Sequence, residues 1–143
     1  MIKGYDWSKV ALILNLEHTS QTLLYMVNQD LVTSNAISAR RWFASGSLRF
    51  QQIVKQTFQD FNVSVYRVPE RNGGGSLGAL TGFAPSFHII DHVIYHTTLD
   101  VPELVPAVGL IYSARAFLSV LDQTNKMTMA EIRGTEKLPN PIR

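Results

Sequence analysis

The sequence predicts a mixed α/β domain, and three observations carry that expectation. Residues 10–14 (Val-Ala-Leu-Ile-Leu) are continuously apolar, as a strand covered on both faces requires. From Ser47 the apolar period changes to three- and four-residue steps, and an alternating segment follows, the order of an αβ unit. Near the end of the chain the helical step returns over residues 107–121.

With 143 residues the chain is expected to form one domain over 1–143, with a substantial core. Hydrophobic content of 45% and charged content of 17% fit an ordinary globular composition. No apolar run reaches the ~18 residues that crossing a bilayer needs, so no membrane span is expected. The opening Met1-Ile2-Lys3-Gly4-Tyr5-Asp6-Trp7 carries an acid and no long apolar stretch, unlike a signal peptide. Cysteine is absent, which excludes disulfides, thiolate ligands and thiol nucleophiles. The net charge of +2 is too small to predict a nucleic-acid partner. Arg40, Arg41, Arg49 and Lys55 form the only basic concentration. Without interleaved aromatics as a stacking platform, they are expected on a solvated face.

The elements follow in order. Residues 10–14 are expected to be the central strand. Residues 22–27 and 37–44 are rich in β-branched and aromatic side chains and predict a pair of strands. The polar clusters Asn28-Gln29-Asp30 and Thr33-Ser34-Asn35 between them predict an irregular loop. Phe50, Ile53, Val54, Thr57, Phe58 and Phe61 define one helix face, with Ser47 as its N-cap. Residues 63–68 alternate like a strand. Residues 69–75 (Pro-Glu-Arg-Asn-Gly-Gly-Gly) predict a loop, without the spacing or lysine of a phosphate cradle. Residues 86–90 are the next short strand. Ala107, Ile111, Ala114, Leu118 and Leu121 make the stripe of a final helix, widened by Val108, Leu110 and Phe117. Pro106 suits its first turn. Both helices are expected to lay these stripes on the sheet. Residues 126–143 are polar, end in Pro139-Asn140-Pro141, and predict an extended, poorly ordered tail.

The chemistry concentrates in Tyr95-His96-Thr97-Thr98-Leu99-Asp100-Val101-Pro102-Glu103. It sets an imidazole, two hydroxyls and two carboxylates directly before the final helix. His88, His92 and His96 are four apart and would share a helix face. The β-rich sequence around them favours a strand instead, so a single ligand among the three fits better. Glu17 and His18 stand where the first buried strand emerges, which suits solvated polar groups. Asp100 and Glu103 match a capping box. Tyr95 suits a packing position with a hydrogen-bonded tip, and Thr97 and Thr98 suit bonds to nearby backbone. Ser76 lacks the Gly-x-Ser-x-Gly setting of a nucleophile.

Tyr-His-Thr-Thr-Leu-Asp at 95–100, followed by Val-Pro-Glu and a long helix, resembles the C-terminal motif of the co-catalytic zinc aminopeptidases. That family includes bacterial leucyl aminopeptidases, glutamate carboxypeptidase II and the one-zinc glutaminyl cyclases. Its usual form is Tyr-His-Thr-x-x-Asp-Thr-Pro-Glu, with the histidine as the last zinc ligand, so the resemblance makes His96 a ligand. Val-Ala-Leu-Ile-Leu-Asn-Leu-Glu at 10–17 is similar to the family's buried strand ending in Asn-Leu-Asp. Glu17 then stands at the acidic ligand position, with His18 as the competing donor. The similarity runs in element order from about residue 8 to residue 124.

The resemblance implies a three-layer α/β/α, zinc-exopeptidase-like fold with a mixed sheet and the N-terminal portion missing. The family's upstream His-x-Asp and Glu-Glu pairs, which supply further ligands and the general base, do not occur in this sequence. The chain therefore corresponds to the C-terminal half of such an enzyme. The expected function is a fragment or reduced form of a zinc-dependent exopeptidase, inactive alone, with no catalytic residue of its own. Its zinc site is weak or incomplete, and peptide or aminoacyl substrates are bordered by Tyr95, Gly75 and Ser76. The alternative is a binding or assembly module that keeps the fold without the chemistry, as in the transferrin-receptor branch. Its partner would be a second copy or a missing N-terminal half.

Overall fold

A computed structural model describes residues 4–40, 42–63, 82–89 and 94–135. Five strands are present among them: β1 (Ile13–Asn15), β2 (Thr22–Val27), β3 (Asp30–Ile37), β4 (Trp42–Ser45) and β5 (Ser86–Ile89). The helices are α1 (Leu48–Asp60), α2 (Ala107–Thr124) and α3 (Met129–Arg133). One sheet has the order β1-β5-β4 and is mixed, since β1 runs parallel to β5 and β4 antiparallel. The α/β class is therefore as the sequence predicts.

The core forms on one face of that sheet. In the β4–β5 register Trp42 opposes Ile89 and Ala44 opposes Phe87, so all four side chains share a face. Phe58 of α1 meets Trp42 and Phe87, and Phe117 of α2 meets Phe87 and Phe58. Phe50, Val54, Ala116 and Val120, all fully buried, join this cluster, as do Val63 and Ile132. Both long helices thus cover the same face. The opposite face carries buried Phe43, Ser45 and Ser86, with the two serine hydroxyls 3.0 Å apart.

Helix α1 starts where its sequence says. Ser47 caps it, its hydroxyl accepting from the Phe50 amide at 3.0 Å, and Phe50, Val54, Thr57 and Phe58 are its buried positions. The Gly46 before the cap has φ of 128°, and a Cβ there would stand 2.9 Å from the Ile132 carbonyl oxygen.

Several expectations are corrected. Among the described strands the apolar run 10–14 does not hold the centre. Only Ile13 and Leu14 of it enter β1, at the edge of the described sheet, while β5 holds the centre. A run of apolar side chains reports cover on both faces, and it carries no information about neighbours in the hydrogen-bonding direction. The segment 37–44 is not one strand. It divides between the end of β3 and β4, and β2 pairs with Asp30–Ile37 instead. Asn28 and Gln29 both take left-handed backbone, φ 48° and 74°, as a two-residue hairpin turn requires. The Thr33-Ser34-Asn35 cluster is strand because this hairpin is largely solvated, so polar side chains cost it nothing.

The face of α2 is inverted. Its buried residues are Gly109, Ser113, Ala116, Phe117, Val120 and Thr124. Of the expected stripe, Phe117 is buried and Leu121 half-buried, but Ala107, Ile111, Ala114 and Leu118 face outward with Val108 and Leu110, Leu118 being 66% and Ile111 48% exposed. The sheet side takes small residues that permit close approach: a Cβ on Gly109 would overlap Ser20 Oγ. Pro106 is the N-cap of α2 rather than a first-turn residue.

Residues 126–135 are not an extended tail. Thr128 and Glu131 form a capping box that starts α3, and Ile132 is buried in the core. Arg133 donates to the carbonyls of Trp7 and Val10, tying the end of this segment to the strand entry. The expected strand beyond Val63, the glycine loop and residues 136–143 lie outside the described residues.

Candidate functional site

The parallel pairing of β1 with β5 decides where the candidate residues fall. Asn15 opposes His88 in the register, so both strands deliver their following residues to one end of the sheet. In α/β sheets the carboxyl ends of parallel strands are where ligand sites form. Asn15 is 1% exposed and donates from Nδ2 to Glu17 Oε2 at 3.2 Å, which fixes the carboxylate just beyond the strand.

The segment after β1 is held residue by residue. The His18 carbonyl accepts from Arg40 Nη1 at 3.1 Å, and the Thr19 carbonyl from Ser113 Oγ at 2.5 Å. Ser20 Oγ donates to the Pro106 carbonyl at 2.7 Å, and the Gln21 carbonyl accepts from the Ser38 amide at 2.8 Å. Two of these anchors belong to α2 or its cap. Gly109 gives the room for that approach.

The turn after β5 meets this segment. The ring of Tyr95 contacts His18 edge to face with centroids 4.6 Å apart, and stacks on His96 at 3.7 Å. Thr97 shapes the turn, its hydroxyl donating to the Ile94 carbonyl at 2.6 Å and accepting from the Leu99 amide at 3.2 Å. His18 and His96 both have left-handed backbone, φ 52° and 59°. Histidine tolerates that region better than most residues, and here it turns both chains back over the sheet end. Just beyond, Asp100, Val101, Pro102, Val105 and Leu110 line a shallow, open groove.

The residues predicted from sequence therefore separate into three groups. Residues 17–18 and 95–96 gather at one end of the sheet. His88 sits on β5 and His96 in a turn, so they do not share a helix face. His92, Gly75 and Ser76 lie outside the described residues. The Asp100–Glu103 capping box is corrected: the short 3-10 helix Pro102–Leu104 is capped by Val101 without a side-chain bond, and α2 begins only at Ala107. Glu103 lies inside the 3-10 turn, too early to serve α2.

Arg40 corrects another expectation. Instead of lying on a solvated face it is 4% exposed. Its Nε donates to the Ser38 carbonyl at 3.3 Å and its Nη1 to His18. Burial pulls its pKa down to about 10. The neighbouring Gln21 is 2% exposed. Sequence reading missed this pair, because a basic residue between Ala39 and Arg41 carries no periodic sign of burial.

Among the described residues no group of three or more His, Cys, Asp or Glu side chains is placed to hold a metal ion. Nor is any described helix long and apolar enough to cross a membrane. No family model, curated protein or solved structure matches the chain.

Proposed function

We propose that this chain is a partial or reduced zinc-exopeptidase-like hydrolase unit, with Glu17 and His96 on one side of a zinc site and no peptidase activity by itself. The observation that supports the reading is the His18–Tyr95 contact. It joins the segment after β1 to the turn after β5 at the carboxyl ends of two parallel strands. Carboxylate oxygen and imidazole nitrogen are ordinary zinc donors, but catalytic zinc takes three protein ligands. Two donors leave such a site weak. Zinc, when bound, supplies Lewis-acid polarisation of a carbonyl and a more acidic water. The chain's own part is to orient the donors: Asn15 holds the Glu17 carboxylate, and Tyr95 braces His96 and His18. His18 is the competing donor. In this reading the substrate is a peptide or aminoacyl group, bordered by Tyr95, Gly75 and Ser76, and the complete domain has three layers.

The test is zinc affinity by competition with a chelating dye, together with hydrolysis of aminoacyl-anilides. Both are measured on the chain, on His96→Ala and on Glu17→Gln. Weak zinc binding that falls further in both variants, without turnover, is the expected result. Robust zinc-dependent turnover by this chain alone would contradict its being partial. Zinc affinity indifferent to both substitutions would remove the ligand assignment.

A second reading, assembly through α2, has its own observation. Ala107, Ile111, Ala114, Leu118 and Leu121 recur at the four-three spacing of a coiled-coil seam, and the first four face outward. A helix apolar on both faces suits burial on both, and a second copy of α2 fits that seam. Sedimentation equilibrium of the chain and of Leu118→Glu separates the readings. Association lost in the variant supports assembly, and a monomer in both removes it.

A further inference from the structure

Neither the zinc reading nor the α2 seam uses the β2–β3 hairpin, yet its first strand carries a run of exposed apolar residues. Leu23, Tyr25, Met26 and Val27 are exposed, Met26 at 62%, and Leu31 is exposed opposite Met26. Among the described residues β2 pairs with β3 alone, and no backbone hydrogen bond reaches residues 23–27 from outside the hairpin. A sheet of two strands is marginal by itself. The two outer edges differ in protection. β3 opens with Asp30, and its register slips so that Ser34, Asn35 and Ala36 stand opposite Leu23 alone. A charge and a bulge are both devices that blunt a free edge. Thr22–Val27 contains no charged residue and no proline, so the β2 edge is left open to pairing.

The turn fixes which backbone groups of that edge are free. Asn28 and Gln29 form a two-residue turn that closes on Val27 and Asp30 as a hydrogen-bonded pair. Bonded and unbonded pairs alternate along an antiparallel ladder, so Leu24 and Met26 turn their N–H and C=O groups away from β3. An extended backbone is what satisfies such a row. We propose that a second copy of this chain supplies it, β2 pairing antiparallel with β2 about a two-fold axis at Tyr25 to make a four-stranded sheet. An axis perpendicular to a sheet keeps like faces together, so it must pass through a residue position. Tyr25 is the midpoint of the exposed run 23–27. Placed there, the axis sets Leu24 opposite Met26 of the second copy, on the groups that are free to bond, and Leu23 opposite Val27. Tyr25 meets Tyr25 in an unbonded pair, where side chains approach most closely. Every opposed pair is apolar and uncharged, so the strand complements itself, as an isologous interface requires. That self-match selects a second copy as the occupant.

This interface rests on neither reading above, and the chain's lack of cysteine lets single cysteines report it directly. Opposed residues of an unbonded antiparallel pair have Cα atoms about 4.5 Å apart, a distance that a disulfide spans. Tyr25→Cys, Leu24→Cys, Met26→Cys and, on the other strand, Thr33→Cys are oxidised with diamide in the folded state, and dimer is read on non-reducing gels. Tyr25→Cys is expected to crosslink about tenfold or more faster than Thr33→Cys, as proximity within a complex warrants. Leu24→Cys and Met26→Cys should crosslink with each other when mixed, and each far less with itself. Equal rates at all four positions, or fastest self-crosslinking at 24 or 26, would overturn the proposal. Sedimentation equilibrium tests it without cysteine chemistry. Tyr25→Lys sets two ammonium groups opposite each other at an exposed position and is expected to abolish the dimer, whereas Leu118→Glu is expected to keep it. A monomeric parent would overturn the interface. Association kept in Tyr25→Lys and lost in Leu118→Glu would also overturn it, and would assign assembly to α2 instead. The zinc measurements are unaffected by either result.

Discussion

The imidazole of His18 meets the ring of Tyr95 edge to face, 4.6 Å between centroids, while Tyr95 lies stacked on His96 at 3.7 Å. Three rings from two distant parts of the chain thus form one aromatic cluster over the end of β1 and β5. An aromatic pair of this kind adds about 0.5–1.5 kcal/mol beyond buried area. Tyr95→Leu is therefore expected to lower unfolding stability by roughly 1 kcal/mol, and Tyr95→Phe by much less. Urea unfolding reads the difference. Equal losses in the two variants would mean that the hydroxyl, not the ring stack, holds the turn.

Backbone conformation gives the same turn a second test. His96 has φ of 59°, a region that costs an ordinary L-residue about 1–2 kcal/mol and glycine nothing. His96→Gly should be at least as stable as His96→Ala, although glycine is the more flexible residue in the unfolded chain. A glycine variant clearly less stable than the alanine one would show that the turn does not hold this conformation in solution.

Adjacent residues of α2 separate the two possible orientations of that helix. Phe117 is 3% exposed and touches Phe58 and Phe87, whereas Leu118 is 66% exposed. Phe117→Ala is expected to cost about 3–5 kcal/mol, as large core truncations do. Leu118→Ala should stay within about 0.5 kcal/mol of the parent, measured at low concentration where self-association does not contribute. A large loss for Leu118→Ala would put the Ile111–Leu118 side of the helix in the core after all.

That reversal explains what was legible in the sequence. Helix α1 has one apolar face and a serine cap, so position and orientation both follow from local pattern. Helix α2 is apolar on two sides, and period alone picks the side with larger residues. The structure picks the side with Gly109, Ser113 and Ala116 because the 18–21 segment must approach closely there. The β2–β3 hairpin was hidden for a related reason: its turn is Asn28-Gln29 rather than a glycine dipeptide, and a solvated strand needs no alternation. The candidates Glu17 and His96 rest on motif resemblance alone. The burial of Gln21 and Arg40 was not legible, because it comes from contacts with residues 18 and 38, and neither type signals a core position.

Close approach at Gly109 is itself measurable. Alanine there gains helix propensity of about 1 kcal/mol, but its Cβ would overlap Ser20 Oγ and lie 3.0 Å from Ser20 Cβ. The overlap outweighs the gain, since moving Ser20 breaks its bond to the Pro106 carbonyl. Gly109→Ala should be net destabilising by more than about 1 kcal/mol. Ser20→Gly, which removes the obstructing side chain, should recover part of that loss, so the double variant is better than the sum of the singles. Additive losses would place the two residues apart.

The closing helix supplies a pH test with a definite sign. The Glu131 carboxylate accepts from the Thr128 amide at 2.7 Å and its hydroxyl at 3.0 Å, and pairs with Arg49 Nη1 of α1 at 2.8 Å. The Thr128 bonds first, and Arg49 after them, hold Glu131 below its ordinary value of 4.5. A carboxylate whose folded value is depressed stabilises the fold fully above its unfolded value. It loses that contribution as pH falls through the folded one. Stability should thus decline below about pH 4.5 partly through Glu131. Glu131→Gln retains an acceptor for the cap but no titrating charge, so its urea midpoint should fall less steeply between neutral pH and pH 3. Ile132→Ala acts through apolar burial on the same helix. It is expected to cost about 2–5 kcal/mol with an unchanged pH slope. If Glu131→Gln tracks the parent in parallel across the acid range, the Thr128 and Arg49 contacts are not what docks α3.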